Sequence, residues 1–216
     1  MLLYFTDNDI ILKLAAYQIF WEMVASLNIK DENIRILPTA GKVFSASQKI
    51  SRQFKQTSIE RAKQITNKCK TIDDRVVHNT SEYQLLASAD GIDVGEALLV
   101  AATQMEEDFY LLTSDKRFLK SLALSSFNDV KQRLYKKAIC LEQLVIHVID
   151  YAGFDLVCRR IASADACDQV ISEAFQLGKQ TKHQDAVKVL NQAIQDLRAK
   201  TGDLLIDSVL VAQTKL

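Results

Sequence analysis

Apolar residues fall along the chain in short runs broken by polar turns, with helical spacing between the runs. Residues 2–5 are continuously apolar and stop at Thr6-Asp7-Asn8-Asp9, the pattern of a buried strand ending in a polar turn. From 10 to 27 the apolar positions Ile10, Ile11, Leu14, Tyr17, Trp21 and Val24 predict a helix. Residues 34–37 are a weaker strand candidate. The stretch 42–70 reads as helical, with Val43, Phe44, Ile50, Phe54, Ile59 and Ile65 on its apolar side, and 83–88 as a short helix. Asp90-Gly91-Ile92-Asp93-Val94-Gly95-Glu96 opens a helix running to 105. Residues 109–113 form a second clear strand, 117–122 a short helix, 137–140 a third strand, and 141–151 an apolar helix. Strands alternating with helices predict a parallel sheet covered on both faces. Residues 155–216 carry no strand signal; helices are expected at 155–177, 183–199 and 203–212, with breaks at Gly178 and Gly202. The expected architecture is an α/β three-layer sandwich over 1–152, with a basic helical insertion at 42–70, followed by an all-α extension over 153–216.

Composition narrows the class. The 216 residues are 48% hydrophobic and 25% charged, enough for a substantial core. Six glycines and one proline argue against a turn-rich β-sandwich and against disordered or collagen-like chains. The first nine residues lack the basic head and apolar run of a secretory signal, and the apolar run 97–102 is far shorter than the ~20 residues of a membrane helix. Cys69, Cys140, Cys158 and Cys167 show no CxxC spacing, so reduced thiols in a cytoplasmic protein are expected, with no membrane association.

Net charge is zero, yet the charges are arranged in blocks. Residues 42–70 hold eight Lys or Arg against one acid, a net +7; residues 71–115 hold ten acids against one Arg, a net −9; residues 116–137 hold seven Lys or Arg against one acid, a net +6. Solvated helix faces explain such blocks in general. A carboxylate site flanked by surfaces that attract a polyanion explains them equally well. Lys42, Lys49, Arg52, Lys116 and Arg117 are the candidate substrate-binding cations, and Tyr135, among Arg133, Lys136 and Lys137, is a candidate stacking residue. Phe44 and Phe54 suit the buried side of their helix better.

Ligands of open parallel sheets sit beyond the carboxyl ends of the strands. Asp7 follows the first strand and Asp115 the 109–113 strand, so adjacency of the two places both at one rim. Asp93 and Glu96 share a helical face that opens toward the same rim. Each acid alone is explained as a helix N-cap. Together, carboxylates converging without Lys or Arg between them require protons or a cation. An all-oxygen ligand set selects Mg²⁺ or Mn²⁺, whose chemistry at such a site is phosphoryl transfer.

These residues resemble the PIN domain family. The run from Leu3 to Leu14, a strand, then Asp7, Asp9 and a helix, resembles its first motif. Gly95 to Thr103, with Glu96 opening the helix, and Phe109-Tyr110-Leu111-Leu112-Thr113-Ser114-Asp115-Lys116-Arg117-Phe118 resemble its third and fourth, and Lys137 to Leu144 its last strand and helix. The resemblance implies a metal-dependent ribonuclease with Asp7, Glu96 and Asp115 as catalytic, metal-binding acids, Asp9 and Asp93 as candidate additional ligands, and Thr113 orienting the last acid. It departs at 37–43, Leu-Pro-Thr-Ala-Gly-Lys-Val, where the family usually carries another acid; either Asp90 or Asp93 compensates, or the metal is held by fewer ligands, or the activity is weak or lost. The stretch 45–70 and the helical tail are likewise outside a minimal PIN domain. RNA is then the expected partner, the C-terminal helices offer a surface for a protein partner, and a homo-oligomer is compatible with the chain. Two alternatives remain. One is a degenerate PIN fold serving as an interaction module. The other is a haloacid-dehalogenase-like phosphatase, suggested by Asp7-x-Asp9 with Thr113 and Lys116 or Lys120, although Asp9 lacks the usual Gly-Thr after it.

Overall fold

The structure is a computed structural model and describes residues 1–208. Its first strand, β1 (Leu3–Thr6), is buried at all four positions, as its unbroken apolar run requires. Asp7 then caps α1 (Asn8–Ala16), and α2 (Phe20–Ser26) follows. The single helix expected over 10–27 is broken at Gln18, which takes a left-handed φ of 59°. More apolar residues need burial here than one helical stripe can hold. The turn re-aims the chain so that Ile19, Phe20 and Met23 are buried along with Ile10, Ile11 and Leu14.

After β2 (Ile34–Ile36) the basic stretch folds as three helices rather than one: α3 (Ala40–Ala46), α4 (Gln48–Gln53) and α5 (Gln56–Thr66). Ser47, in extended backbone, caps α4 through its side chain, and Phe54 is extended and buried, which interrupts the run twice. β3 (Lys70–Thr71) was not expected; two exposed polar residues give no apolar signal. Then come α6 (Asp74–Val77), α7 (Ser81–Ala87), α8 (Val94–Ala102), β4 (Phe109–Thr113), α9 (Lys116–Leu124), α10 (Asn128–Arg133), β5 (Ala138–Cys140) and α11 (Leu141–Ala152). The tail continues as α12 (Phe154–Ala162), α13 (Gln169–Ala174) and α14 (His183–Thr201), so the helix expected over 155–177 is two helices. The 203–212 helix does not form within the described residues. Gly202 takes a φ of 58°, Gly202–Leu204 is a 3-10 turn, and Leu205 is extended. Leu204, Leu205 and Ile206 are all buried, a run that suits a strand edge; positions 209–212 lie outside the described residues.

The five strands are all parallel, in the order β3-β2-β1-β4-β5. Residues alternate between the faces. Tyr4, Ile34, Ile36, Leu112 and Ile139 join one apolar cluster with α1, α2, α5 and α11. Leu3, Phe5, Phe109, Leu111, Ala138 and Cys140 join the other with α8 and α9. The tail enters the same clusters. Val157, Cys158, Ile171, Ala186 and Leu190 belong to the first, and Ile194 and Leu197, further along α14, to the second. The segment after α14 also meets the β5 edge: Leu205 bridges to Ala138 in parallel, and the Ile206 amide donates to the Ala138 carbonyl at 2.9 Å. Arg198 donates to the carbonyl oxygens of Leu205 and Ile206, and the Gln143 side chain to that of Ile206. The other edge is blunted by the brevity and charge of β3. No helix among the described residues is long and apolar enough to cross a membrane.

Candidate functional site

The chain runs outward from β1 to β2 and β3, then returns to place β4 against the other side of β1. The strand order therefore reverses between β1 and β4, and a crevice opens beyond their carboxyl ends. Asp7 stands at the end of β1. Its Oδ1 accepts the Ile10 amide at 2.6 Å, and its Oδ2 accepts the Thr113 hydroxyl at 2.5 Å and the Ser114 amide at 3.1 Å. It is only 8% exposed. Burial and the nearby Asp9 charge push its carboxyl up to about 7 despite these three donors.

Asp115 stands at the end of β4 and caps α9, accepting the amides of Arg117 at 2.8 Å and Phe118 at 3.0 Å. The Arg117 guanidinium lies 3.4 Å from its second oxygen. Thr113 joins the two acids, though not as expected. Its hydroxyl orients Asp7, and it holds Asp115 only through that residue's backbone amide, at 3.1 Å.

Asp93 and Glu96 form a capping box at the start of α8. The Asp93 carboxylate accepts the Glu96 amide at 2.8 Å and the Glu96 carboxylate accepts the Asp93 amide at 2.7 Å. Gly95 lets this turn press on the end of β2, since a Cβ there would lie 2.9 Å from Leu37 Cδ1. Glu96 is buried, and burial pushes its carboxyl up to about 8; one hydrogen bond from the Asp93 amide opposes this, while the charges of Asp93, Asp115 and Asp7 add to it. The N-cap reading of Asp7, Asp93 and Asp115 is realised. Helix capping fixes each carboxylate, and the topology aims the capped helix starts at one place.

That place is an open cavity of about 640 Å³ lined by Asp7, Asp9, Asp93, Glu96 and Asp115, with Lys49, Arg117, Leu37, Pro38 and Thr39 on its walls. Asp9 is mostly exposed and its carboxylate lies 3.9 Å from the Lys13 ammonium. Asp74 and His78, at α6, also line the cavity and were not foreseen as site residues; only the packing of α6 on α8 brings them there. Asp90 does not line it. Among the described residues no three His, Cys, Asp or Glu side chains already form a closed metal cage; the acids surround a space instead. Of the expected substrate-binding cations, Lys49 and Arg117 line the cavity, whereas Lys42 and Arg52 are exposed outside it.

Lys116 is engaged elsewhere. It forms an ion pair with Glu142, which is 1% exposed at the start of α11. A second buried pair supports the rim from below. The Lys13 ammonium lies 3.1 Å from Asp168 and donates to Ser114 Oγ at 3.0 Å. Burial alone would lower this amine, but the Asp168 and Asp9 carboxylates hold it above its ordinary value. His147 is buried, with Nε2 3.1 Å from the Ser26 carbonyl oxygen, and takes no part in the cavity. None of the protein families, curated proteins or solved structures compared with the chain matches it, so the chemistry of the cavity rests on its own residues.

Proposed function

We propose that the chain is a PIN-type ribonuclease that hydrolyses RNA phosphodiester bonds with a divalent metal ion at Asp7, Glu96 and Asp115. The observation that carries this reading is geometric: Asp7, Glu96 and Asp115 line one cavity where strand order reverses, and burial pushes the carboxyls of the first two above their ordinary values. Such a group binds either protons or a cation at physiological pH. The three proposed ligands are carboxylates, and hard oxygen donors fit Mg²⁺ or Mn²⁺; Asp93, Asp9 and Asp74 are further oxygen donors in the same cavity, with the imidazole of His78 as its one nitrogen donor among the acids. The metal would supply a nucleophile at neutral pH and offset charge at phosphorus.

The residues of the chain supply the rest. Thr113 and the Ser114 amide hold Asp7 in one orientation, which fixes a ligand before substrate arrives. Lys49 and Arg117 stand on the cavity wall as phosphate partners. The unpaired state of all four cysteines suits a cytoplasmic enzyme. One observation favours a second reading, a non-catalytic binding module: Leu37, Pro38 and Thr39 face the cavity without offering a carboxylate.

Calorimetric Mn²⁺ titration and RNA cleavage on the same samples decide the matter. The expected result is binding and cleavage by the wild type, loss of both in the Asp7→Asn/Asp115→Asn double variant, and loss of cleavage with EDTA. Absence of Mn²⁺ binding by the wild type would refute the nuclease reading in favour of the module.

A further inference from the structure

The seam between α9 and α14 lies outside the acid cavity and carries its own chemistry. Two depressions follow it. One, of about 140 Å³, is lined by Lys116, Lys120, Asp196 and Lys200, among others. The second, of about 440 Å³, is lined by Leu124, Lys131, Tyr135, Lys200 and Asp203, among others. Lys200 lines both, so the depressions adjoin. Four lysines face two aspartates along the seam, a net +2 on a chain whose total charge is zero.

Not all of these cations are available. Lys116 is taken by Glu142, and Lys131 donates to the Ser125 carbonyl at 2.8 Å. Lys120 and Lys200 make no ion pair among the described residues, while Asp196 is occupied by the Gln192 amide at 2.9 Å. At the far end, Tyr135 is 53% exposed and Leu124 86% exposed. The Lys136 ammonium lies 5.3 Å from the Tyr135 ring centroid and is itself tied to Asp207 at 2.6 Å, which restrains the ring. Free cations followed by an exposed aromatic ring and an apolar neighbour are the elements of a single-stranded nucleic-acid path, phosphates on the cations and a base on the ring.

The seam starts at the site. Lys116 directly follows Asp115, and the nine residues of α9 span about 13 Å away from it. We infer that the α9–α14 seam binds the single-stranded RNA flanking the bond at the acid cavity, with Lys120 and Lys200 on its phosphates and Tyr135 stacked on a base. The inference rests on the nuclease reading for its substrate but makes a separate prediction about binding. It assigns α14, which lies in the C-terminal helical segment, to substrate capture.

The test is fluorescence anisotropy of a labelled single-stranded oligoribonucleotide of about ten nucleotides, with the full chain in EDTA, where no cleavage occurs. Lys120→Gln/Lys200→Gln is expected to weaken binding roughly tenfold and to reduce the salt slope by about 1 to 2. Tyr135→Ala is expected to weaken binding about tenfold with the salt slope unchanged. These side chains are at least partly exposed, and an unchanged circular dichroism melt of each variant verifies the fold. Wild-type affinity in both seam variants overturns the inference, even if the wild type cleaves RNA. Seam-dependent binding by a wild type that never cleaves with Mn²⁺ upholds the seam and refutes the nuclease. A polyglutamate peptide that displaces the oligonucleotide as well as unlabelled RNA does would overturn the RNA assignment in favour of an acidic protein segment.

Discussion

Replacing Asp7 by Asn should make the metal-free protein more stable at neutral pH, although it removes a residue that makes three hydrogen bonds. In the native state the Asp7 carboxyl titrates near 7, against an ordinary value of 3.8. Below about pH 4 both native and unfolded chains hold the proton, and Asp7 contributes nothing to the pH dependence. As pH rises toward 7 the unfolded chain releases its proton first, so native stability falls. Above 7 both are ionised and the penalty is complete, about 4 kcal/mol. Asn cannot ionise and caps a helix through Oδ1 as well as Asp does, but its NH2 group cannot accept the Ser114 amide as Oδ2 does, a cost of about 1 to 3 kcal/mol that is the same at every pH. Relative to the wild type, the variant should therefore gain about 3 kcal/mol in stability between pH 4.5 and pH 8, enough to leave it the more stable protein at the higher pH. Urea denaturation in EDTA at the two pH values measures both differences. Equal destabilisation of the variant at both would refute the argument, because it would make Asp7 an ordinary ionised cap that the native state holds without strain.

Three further outcomes follow from the same geometry. Mn²⁺ affinity should rise steeply between about pH 6 and 8, because Asp7 and Glu96, raised to about 7 and about 8, must shed protons to accept a cation; pH-independent calorimetric affinity would contradict this. Lys116→Met should lower stability by about 3 to 5 kcal/mol, since it strands the Glu142 charge in the interior; Glu142→Gln/Lys116→Met should recover most of the loss in the same urea assay. Lys13→Met should cost a similar amount, because Asp168 keeps only its two cap amides and Ser114 Oγ loses its donor.

The parts of the fold legible in the sequence are those buried on both faces. β1 and β4 lie at the centre of the sheet, so their runs are uniformly apolar, and the acids that end them mark the rim. The periphery follows other rules. β3 is an exposed Lys-Thr pair recognisable only by its partner Ile36. The break at Gln18 serves the burial of Ile19 and Phe20, a demand set by distant elements. The site divides in the same way. Asp7, Asp93, Glu96 and Asp115 announce themselves because each also starts a helix, and helix starts have local signatures. Asp74 and His78 reach the cavity through the packing of α6, and Lys116 finds Glu142 across two strand ends, so neither partner is visible to a reading of neighbours along the chain.

The closure of the β5 edge by Leu205 and Ile206 has a consequence in time. Sixty-three positions separate Gln143 from Ile206, whose carbonyl it holds. At a synthesis rate of about 5 to 20 residues per second, the ribosome needs roughly 3 to 13 s to deliver that segment after β5 has emerged. During that interval the sheet can assemble while its last strand still presents unpaired amides and carbonyls. The nascent protein therefore passes through a window in which any extended segment, from its own chain or from a neighbour on the same message, competes for the place that Leu205 finally takes.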